Sequence, residues 1–197
     1  MPASEPTSEP TFVPTGLDLG DFRLVPWGHD SRTRGFLGAL KAAAADPVIA
    51  LWNPVRATED ISARAWIAAR AAGWRTGTLA GFAAVSTDGD TLLGTVNVRW
   101  SDRADGLARI GYWTVPAARR RGIAVRATRA ATRWAFDTAD ARRIELSHAA
   151  GNHLSCRVAE RSGYRHEGTL RDSHRFGDGE YHDEHLHARL ARDPEPA

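Results

Sequence analysis

From residue 22 onward the apolar positions switch between two periods. The segments "FRLVPW" and "GWRTGTLAGFAAVS" carry strand-like apolar runs, whereas "DSRTRGFLGALKAAAA" and "EDISARAWIAARAA" between them repeat apolar residues at the spacing of one helix face. Asp46-Pro47 stops the first of these helices, because the residue before a proline is pushed out of helical backbone. The turn sequence "TDGD" then makes a hairpin between Val85 and Leu92, and "LLGTVNVRW" and "LARIGYWTV" follow as strands around the polar loop "SDRADG". Three neighbouring strands joined in this way form an antiparallel meander.

The period changes again after Val115. Val125, Thr128, Trp134 and Ala131 or Ala135 share one helical face, and Arg126, Arg129 and Arg133 share another, which predicts a long amphipathic helix. A strand "RRIELSH", a short helix from about Asn152 to Arg161 ended by Gly163, a strand "YRHEGTLRD", a turn "FGDG" and a last strand "EYHDEHLHARL" complete the order. A right-handed crossover through the long helix sets residues 107–115 and 142–148 side by side and parallel. The expected fold class is α/β: a mixed sheet, mostly antiparallel with one parallel pair, flanked by helices.

A chain of 197 residues fits one domain, and no repeat or internal linker divides it. The expected layout is a flexible leader over residues 1–18, a single domain over 19–191 and a tail over 192–197. The leader "MPASEPTSEPTFVPTGLD" has closely spaced prolines, acids where a signal peptide carries bases, and no apolar stretch. No run approaches the roughly 18 apolar residues of a membrane span. A single cysteine, Cys156, excludes an internal disulfide and a multi-cysteine zinc site, so the expectation is a soluble protein of the reducing cytoplasm.

Charge narrows the chemistry further. The net charge is only +2 although the isoelectric point is about 9.1, because all basic residues but one are arginine. That one lysine, Lys41, sits in "GALKAAAAD" without the Gly-Lys-Ser/Thr context of a P-loop, which excludes a P-loop kinase or NTPase. Basicity is local: residues 119–133 hold six arginines and no acid.

That stretch, "VPAARRRGIAVRATRAATRW", admits three readings. A solvated basic face explains the arginines but not the glycine. Nucleic-acid binding would call for a basic face joined to aromatics or to a recognisable reading motif, and no RNA-binding signature or zinc-finger spacing is present. A phosphate cradle explains both: a strand ending at Val115, a short loop begun by Pro116, and Gly122 opening a helix direct unpaired N–H groups at one point. Side chains larger than those of Gly122 and Ala124 would hold a phosphate off the backbone, and Arg119, Arg120 and Arg121 add charge around it. The Rossmann pattern G-x-G-x-x-G does not fit "RRRGIA".

Arg119-Arg120-Arg121-Gly122-Ile123-Ala124 resembles the R/Q-x-x-G-x-G/A loop of the Gcn5-related N-acetyltransferases, with alanine where glycine is commonest. "IGYWTVPAARRRGIA", "NHLSCRVAERSGYRHEGTLR" and "GEYHDEHLHARL" extend the resemblance, in order, over about residues 20–190, toward the subgroup that contains the ribosomal-protein N-terminal acetyltransferases. The resemblance implies acetyl-coenzyme A as donor and an amine acceptor, a protein N-terminus or a small molecule, in a monomer or homodimer. A longer acyl donor, or a non-catalytic coenzyme A- or nucleic-acid-binding module, are the alternatives. It implies that the loop, Ile123 included, holds the pyrophosphate, and that backbone around Trp113 to Val115 receives the thioester oxygen. Asn152 and Ser155 then contact the pantetheine arm and the sulfur, with Ser155 protonating the thiolate.

The residues leave other roles open. Asn152 also suits a plain helix cap. Candidates for a general base are His148 at a strand end, Glu145 earlier in that strand and His174 before the last hairpin. Cys156 reads as a small buried residue rather than a nucleophile. "HRFGDG" imitates the His-x-x-x-Asp-Gly signature of chloramphenicol acetyltransferase-like enzymes but reads more simply as a hairpin turn. His185 and His187 share a strand face and suggest zinc, yet no third ligand stands out in the sequence, so no metal is expected. Trp52, Asn53 and Trp66 are candidates for an acceptor groove.

Overall fold

A computed structural model describes residues 13–28 and 31–196. Residues 1–12, most of the expected leader, lie outside the described residues. Its last two residues do not belong to a leader: Leu17–Asp18 is strand β1, paired with Leu24 and Arg23 of β2 (Phe22–Pro26). The expected tail is tied down as well, since Glu195 accepts from Arg133 and from the buried Arg189, each at 2.9 Å.

Two short helices, α1 (Ser31–Gly35) and α2 (Leu37–Ala45), replace the one expected there, parted at Phe36, whose ring packs edge-on against Trp27. Asp46-Pro47 ends α2, as expected, and also starts a helix that the pattern did not predict, α3 (Pro47–Trp52). The Asp46 carboxylate caps it by accepting from the Ile49 N–H at 2.9 Å, and Pro47 occupies the first turn, where its missing N–H costs nothing. Helix α4 (Asp60–Thr76) runs four residues into the segment expected to be strand. It stops at Gly77, which adopts a left-handed φ of 67°, and β3 begins only at Leu79 (Leu79–Ser86).

The meander is present: β3, β4 (Leu92–Asp102) and β5 (Leu107–Thr114) pair antiparallel in sequence. After a 3₁₀ turn at Pro116–Ala118 comes α5 (Ile123–Thr138), then β6 (Arg143–Ala149), α6 (His153–Arg161), β7 (Arg165–Arg175) and β8 (Tyr181–Leu190). The strands make one sheet ordered β1-β2-β3-β4-β5-β6-β8-β7, in which β5 and β6 are the parallel pair. The fold is therefore the expected mixed α/β sheet.

A core layer lies on each face of this sheet. On one face Ile123, Ala127, Ala131, Trp134 and Ala135 of α5 cover Phe82, Val96, Val98 and Ile110, while Val125, expected on that face, is only half-buried. On the other face, Phe36, Leu40, Ile49 and Ile67 pack with Trp27 and Trp113. Trp134 is the hub of the first layer, with ring centroids 5.3 Å from Trp74, 5.4 Å from Phe82 and 6.2 Å from Trp100. Trp134→Ala is expected to cost about 3–5 kcal/mol, the usual penalty for a buried aromatic truncation. The measurement is the shift in urea unfolding midpoint, and a loss below about 1 kcal/mol would show that Trp134 is not the hub.

Candidate active site

The parallel pairing of β5 with β6 covers three residues, from Leu107↔Arg143 to Arg109↔Glu145. Beyond Arg109 β5 stays on β4 and β6 stays on β8, so the two strands part and leave a gap in the sheet. Val115 N–H is not available there, because it donates to Leu93 O at 3.0 Å. By the alternation of an antiparallel ladder the Trp113 N–H faces β4 as well, whereas the N–H groups of Tyr112 and Thr114 face the gap. Of the expected stretch Trp113 to Val115, Thr114 is thus the residue whose N–H faces the gap, and Tyr112 lies just outside that stretch. The Trp113 side chain is buried in the core beneath α2 to α4.

One side-chain contact spans the gap. Tyr112 Oη and Ser155 Oγ lie 2.7 Å apart, joining β5 to the first turn of α6. Ser155 was legible in the sequence and Tyr112 was not; its place in "IGYWTV", facing the parting strands, was the available signal. Burial pushes the Tyr112 phenol up to about 12, so it stays protonated at neutral pH. Asn152 caps α6, its Oδ1 accepting from the Ser155 N–H at 3.1 Å, and this fixes the turn that carries Ser155.

On the same face lies the start of α5. Arg120 and Gly122 both adopt left-handed backbone, with φ of 62° and 74°, and Gly122 is the helix N-cap. Among the described residues no side chain caps this end. The first N–H groups of a helix have no intrahelical acceptor, and left-handed residues interleaved in such a loop turn amides toward one point. Ile123 is buried beneath the loop, Ala124 is half-buried, and Arg120, Arg121 and Gly122 are exposed. A cleft of about 400 Å³ opens beside it, lined by Gly122, Val125, Arg126, Arg129, Glu160 and Arg161 among others.

The arginines divide by partner. Arg119 is anchored away from the loop, on Asp46 at 2.5 Å, tying the site to the α2–α3 corner. Arg126 bonds Leu19 O and pairs with Asp21 at 2.6 Å, Arg129 donates to Arg161 O at 3.0 Å, and Arg133 reaches Glu195. The stripe therefore fastens neighbouring segments to α5.

The opposite face of the sheet holds a cavity of about 670 Å³. Its wall includes Arg70, Asn97, Arg99, Glu145, His174 and Glu184, and Gly111 and Ser147 bring it to the place where β5 and β6 part. Of the candidate bases, Glu145 and His174 face this cavity. Glu145 is held by Arg109 at 3.4 Å and Arg143 at 3.1 Å. Glu184, which the sequence reading passed over, accepts from Ser173 Oγ at 2.6 Å. His148 is not in the wall: it is buried on the α6 side, with Nδ1 on Ala149 O at 2.8 Å and Nε2 3.3 Å from His187 Nε2.

Trp52 and Trp66 are parted by the fold. Trp52 packs edge-on against Phe176, where Gly177 N–H donates to Leu51 O at 2.9 Å, so α3 docks on the β7–β8 hairpin. Trp66 lies against Trp27, with the Arg70 guanidinium 3.0 Å above its ring. Asn53 caps the end of α3 through its backbone N–H. "HRFGDG" closes the β7–β8 hairpin as a turn. Cys156, beside Ser155, is partly exposed rather than buried, and burial together with Glu160 raises its thiol pKa, against a role as nucleophile.

The sheet thus opens between its parallel strands, with a helix start free of side-chain caps on one face and a polar cavity on the other, so that ligands could approach the gap from both faces. The chain matches the family described as "Acetyltransferase (GNAT) domain" over residues 26–165 and belongs to it; this family comprises acetyl-coenzyme A-dependent N-acetyltransferases. It is 32% identical over 103 residues to a Bacillus subtilis (strain 168) protein named "Putative ribosomal N-acetyltransferase YdaF", a match spanning 52% of this chain and 56% of that protein. The fold is similar to Mycobacterium smegmatis RimJ in complex with CoA-disulfide (TM-score 0.78, 23% identity, 90% of this chain and 88% of that one). It is also similar to the ribosomal-protein-S5-alanine acetyltransferase of Vibrio fischeri (TM-score 0.79, 17% identity, 92% and 100%). Among the described residues no helix is long and apolar enough to cross a membrane.

The Asp46–Arg119 contact generates a test of how the site is anchored. Burial works to raise the Asp46 carboxyl, but hydrogen bonds from Arg119 and the Ile49 N–H outweigh it and hold the group below its ordinary 3.8. Its stabilisation is therefore present at neutral pH and lost as pH falls through the lowered folded value. Asp46→Ala is expected to cost about 1–2 kcal/mol at pH 7 by chemical denaturation. The difference from the unaltered protein should shrink below pH 3.8; a difference independent of pH would contradict the assigned contact.

Proposed function

We propose that this chain transfers the acetyl group of acetyl-coenzyme A directly to a primary amine, the α-amine of a protein N-terminus. The observation that carries the proposal is the Tyr112–Ser155 pair across the β5–β6 gap, between the uncapped α5 start and the polar cavity. Similarity to proteins named as ribosomal N-acetyltransferases supports the acceptor class. A cytoplasmic setting, where acetyl-coenzyme A and new protein N-termini meet, goes with this reading.

In this reading the pyrophosphate lies on the amides of Gly122, Ile123 and Ala124, with Arg120 and Arg121 at its rim. The pantetheine arm passes Asn152 toward the gap. The acceptor enters from the cavity face and must reach the thioester as a neutral amine, although a free α-amine has a pKa near 8. His174 and Glu184 in the cavity wall take its proton, directly or through water. As nitrogen bonds to the acetyl carbon, charge develops on the thioester oxygen, and an N–H of Tyr112 or Thr114 facing the gap stabilises it. The carbon–sulfur bond breaks, and Ser155 Oγ–H protonates the leaving thiolate while Tyr112 reprotonates Ser155. The acylated nitrogen sheds its extra proton to water in the cavity, and Tyr112 regains its own proton from solvent.

A small-molecule amine is the second reading, favoured by the cavity volume of about 670 Å³, which lies within the size range of ligand pockets. Mass spectrometry of reactions with acetyl-coenzyme A separates the two. Acetylation of free α-amines on ribosomal-protein peptides, absent when the N-terminus is blocked and lysines remain, is the expected result. Transfer only to small amines would favour the second reading, and no transfer to any amine would refute the activity.

Kinetics test the assigned roles. Gly122→Val places a side chain in the anion cradle and a β-branched residue in left-handed backbone, so KM for acetyl-coenzyme A should rise at least about ten-fold. Ser155→Ala should lower kcat by about 100-fold with little change in KM. Equal effects of both substitutions on KM would contradict the division of roles.

A further inference from the structure

Behind the gap, on the α6 side of the sheet, side chains from three elements converge. They are His148 at the end of β6, His185 and His187 of β8, and Cys156 in the first turn of α6. One ligand-capable atom of each lies within 4.8 Å of all the others. The β6–β8 register places His148 directly opposite His185. Sequence reading stopped at His185 and His187 because the two remaining groups come from elements about thirty to forty residues away.

The hydrogen bonds fix which ring atoms are free. A carbonyl oxygen only accepts, so the His148 Nδ1 facing Ala149 O carries a proton, and so does the His187 Nδ1 facing Tyr164 O at 3.3 Å. Each neutral ring then presents its Nε2 lone pair, and the two Nε2 atoms face each other at 3.3 Å. Two lone pairs at that distance repel unless an electron-poor centre stands beside them. Placing a proton between them would create an imidazolium in a buried pocket with a further histidine ring 5.4 Å from that of His148.

A divalent cation meets the geometry better. Two nitrogens bound to tetrahedral zinc at about 2.0–2.1 Å lie roughly 3.3–3.4 Å apart. Backbone carbonyls holding Nδ1–H are the usual outer support of a metal-binding imidazole. A further nitrogen, His185 Nδ1, is buried without a hydrogen-bond partner among the described residues.

We propose that His148, Cys156, His185 and His187 form a Cys-His₃ site for a borderline-soft divalent cation of the zinc type. Binding releases the Cys156 thiol proton to solvent and joins thiolate and three neutral imidazoles to the cation. The cation pins the first turn of α6, next to Ser155, to β6 and β8. It takes no part in acetyl transfer, so the proposal stands or falls separately from the assigned activity.

Cobalt(II) added to metal-free, tag-free full-length protein provides the test. The expected result is one cobalt per chain, with the visible bands of a tetrahedral site and a near-ultraviolet thiolate-to-cobalt band, both displaced by zinc. Cys156→Ser should remove the near-ultraviolet band, and Cys156→Ser and His185→Gln should each weaken cobalt binding about ten-fold or more. Circular dichroism checks that both variants fold, and the unaltered protein decides the matter if they do not. Absence of a saturable tetrahedral spectrum in the unaltered protein overturns the proposal. So does a spectrum that folded Cys156→Ser and His185→Gln variants leave unchanged.

Discussion

The parting of β5 from β6 after three paired residues is the constraint on which the rest of the site depends. A parallel pair continued to Thr114 would consume the N–H groups of Tyr112 and Thr114 and seal the two faces of the sheet from each other. Instead each strand keeps its outer neighbour, β4 for β5 and β8 for β6, so the sheet survives the opening. On the proposed function, the backbone groups left without a strand partner are the ones available to a thioester oxygen. Beside the opening, the Tyr112–Ser155 contact joins β5 to the first turn of α6.

Both core layers hold that opening in place. Trp134, with Trp74, Phe82 and Trp100, fixes α5 on the sheet and thereby sets where Gly122 begins the helix. On the far face, α3 meets the β7–β8 hairpin through Trp52 and Phe176, which positions the hairpin that brings His174 to the cavity. Arg119 links the loop before α5 to the cap of α3 through one ion pair with Asp46. The arginines of α5 serve the same end by fastening the β1–β2 segment, α6 and the C-terminal residues.

Much of this was legible in the sequence. Strand and helix order, the meander, the parallel pair and the glycine at the start of α5 follow from period and turn chemistry. Errors fell where one residue carries two local signals: Asp46-Pro47 both ends α2 and begins α3, and Gly77, not Gly73, ends α4. Of the candidate residues, Gly122, Asn152 and Ser155 could be picked out from spacing at helix starts, and His174, which lies in β7, from its place before the hairpin turn. Tyr112 and Glu184 could not, because their importance arises from which face of a strand meets the gap or the cavity. The arginine stripe showed the converse limit, since its basic periodicity cannot reveal that its partners lie at both ends of the chain.

Hydrogen–deuterium exchange with and without coenzyme A tests most directly whether the gap and the α5 start form the donor site. Amides of Tyr112 and Thr114, of Gly122 to Val125 and of the first turn of α6 should gain protection together when coenzyme A binds. Protection confined to the cavity-facing residues, or binding that leaves the α5 start unprotected, would contradict the placement of the donor.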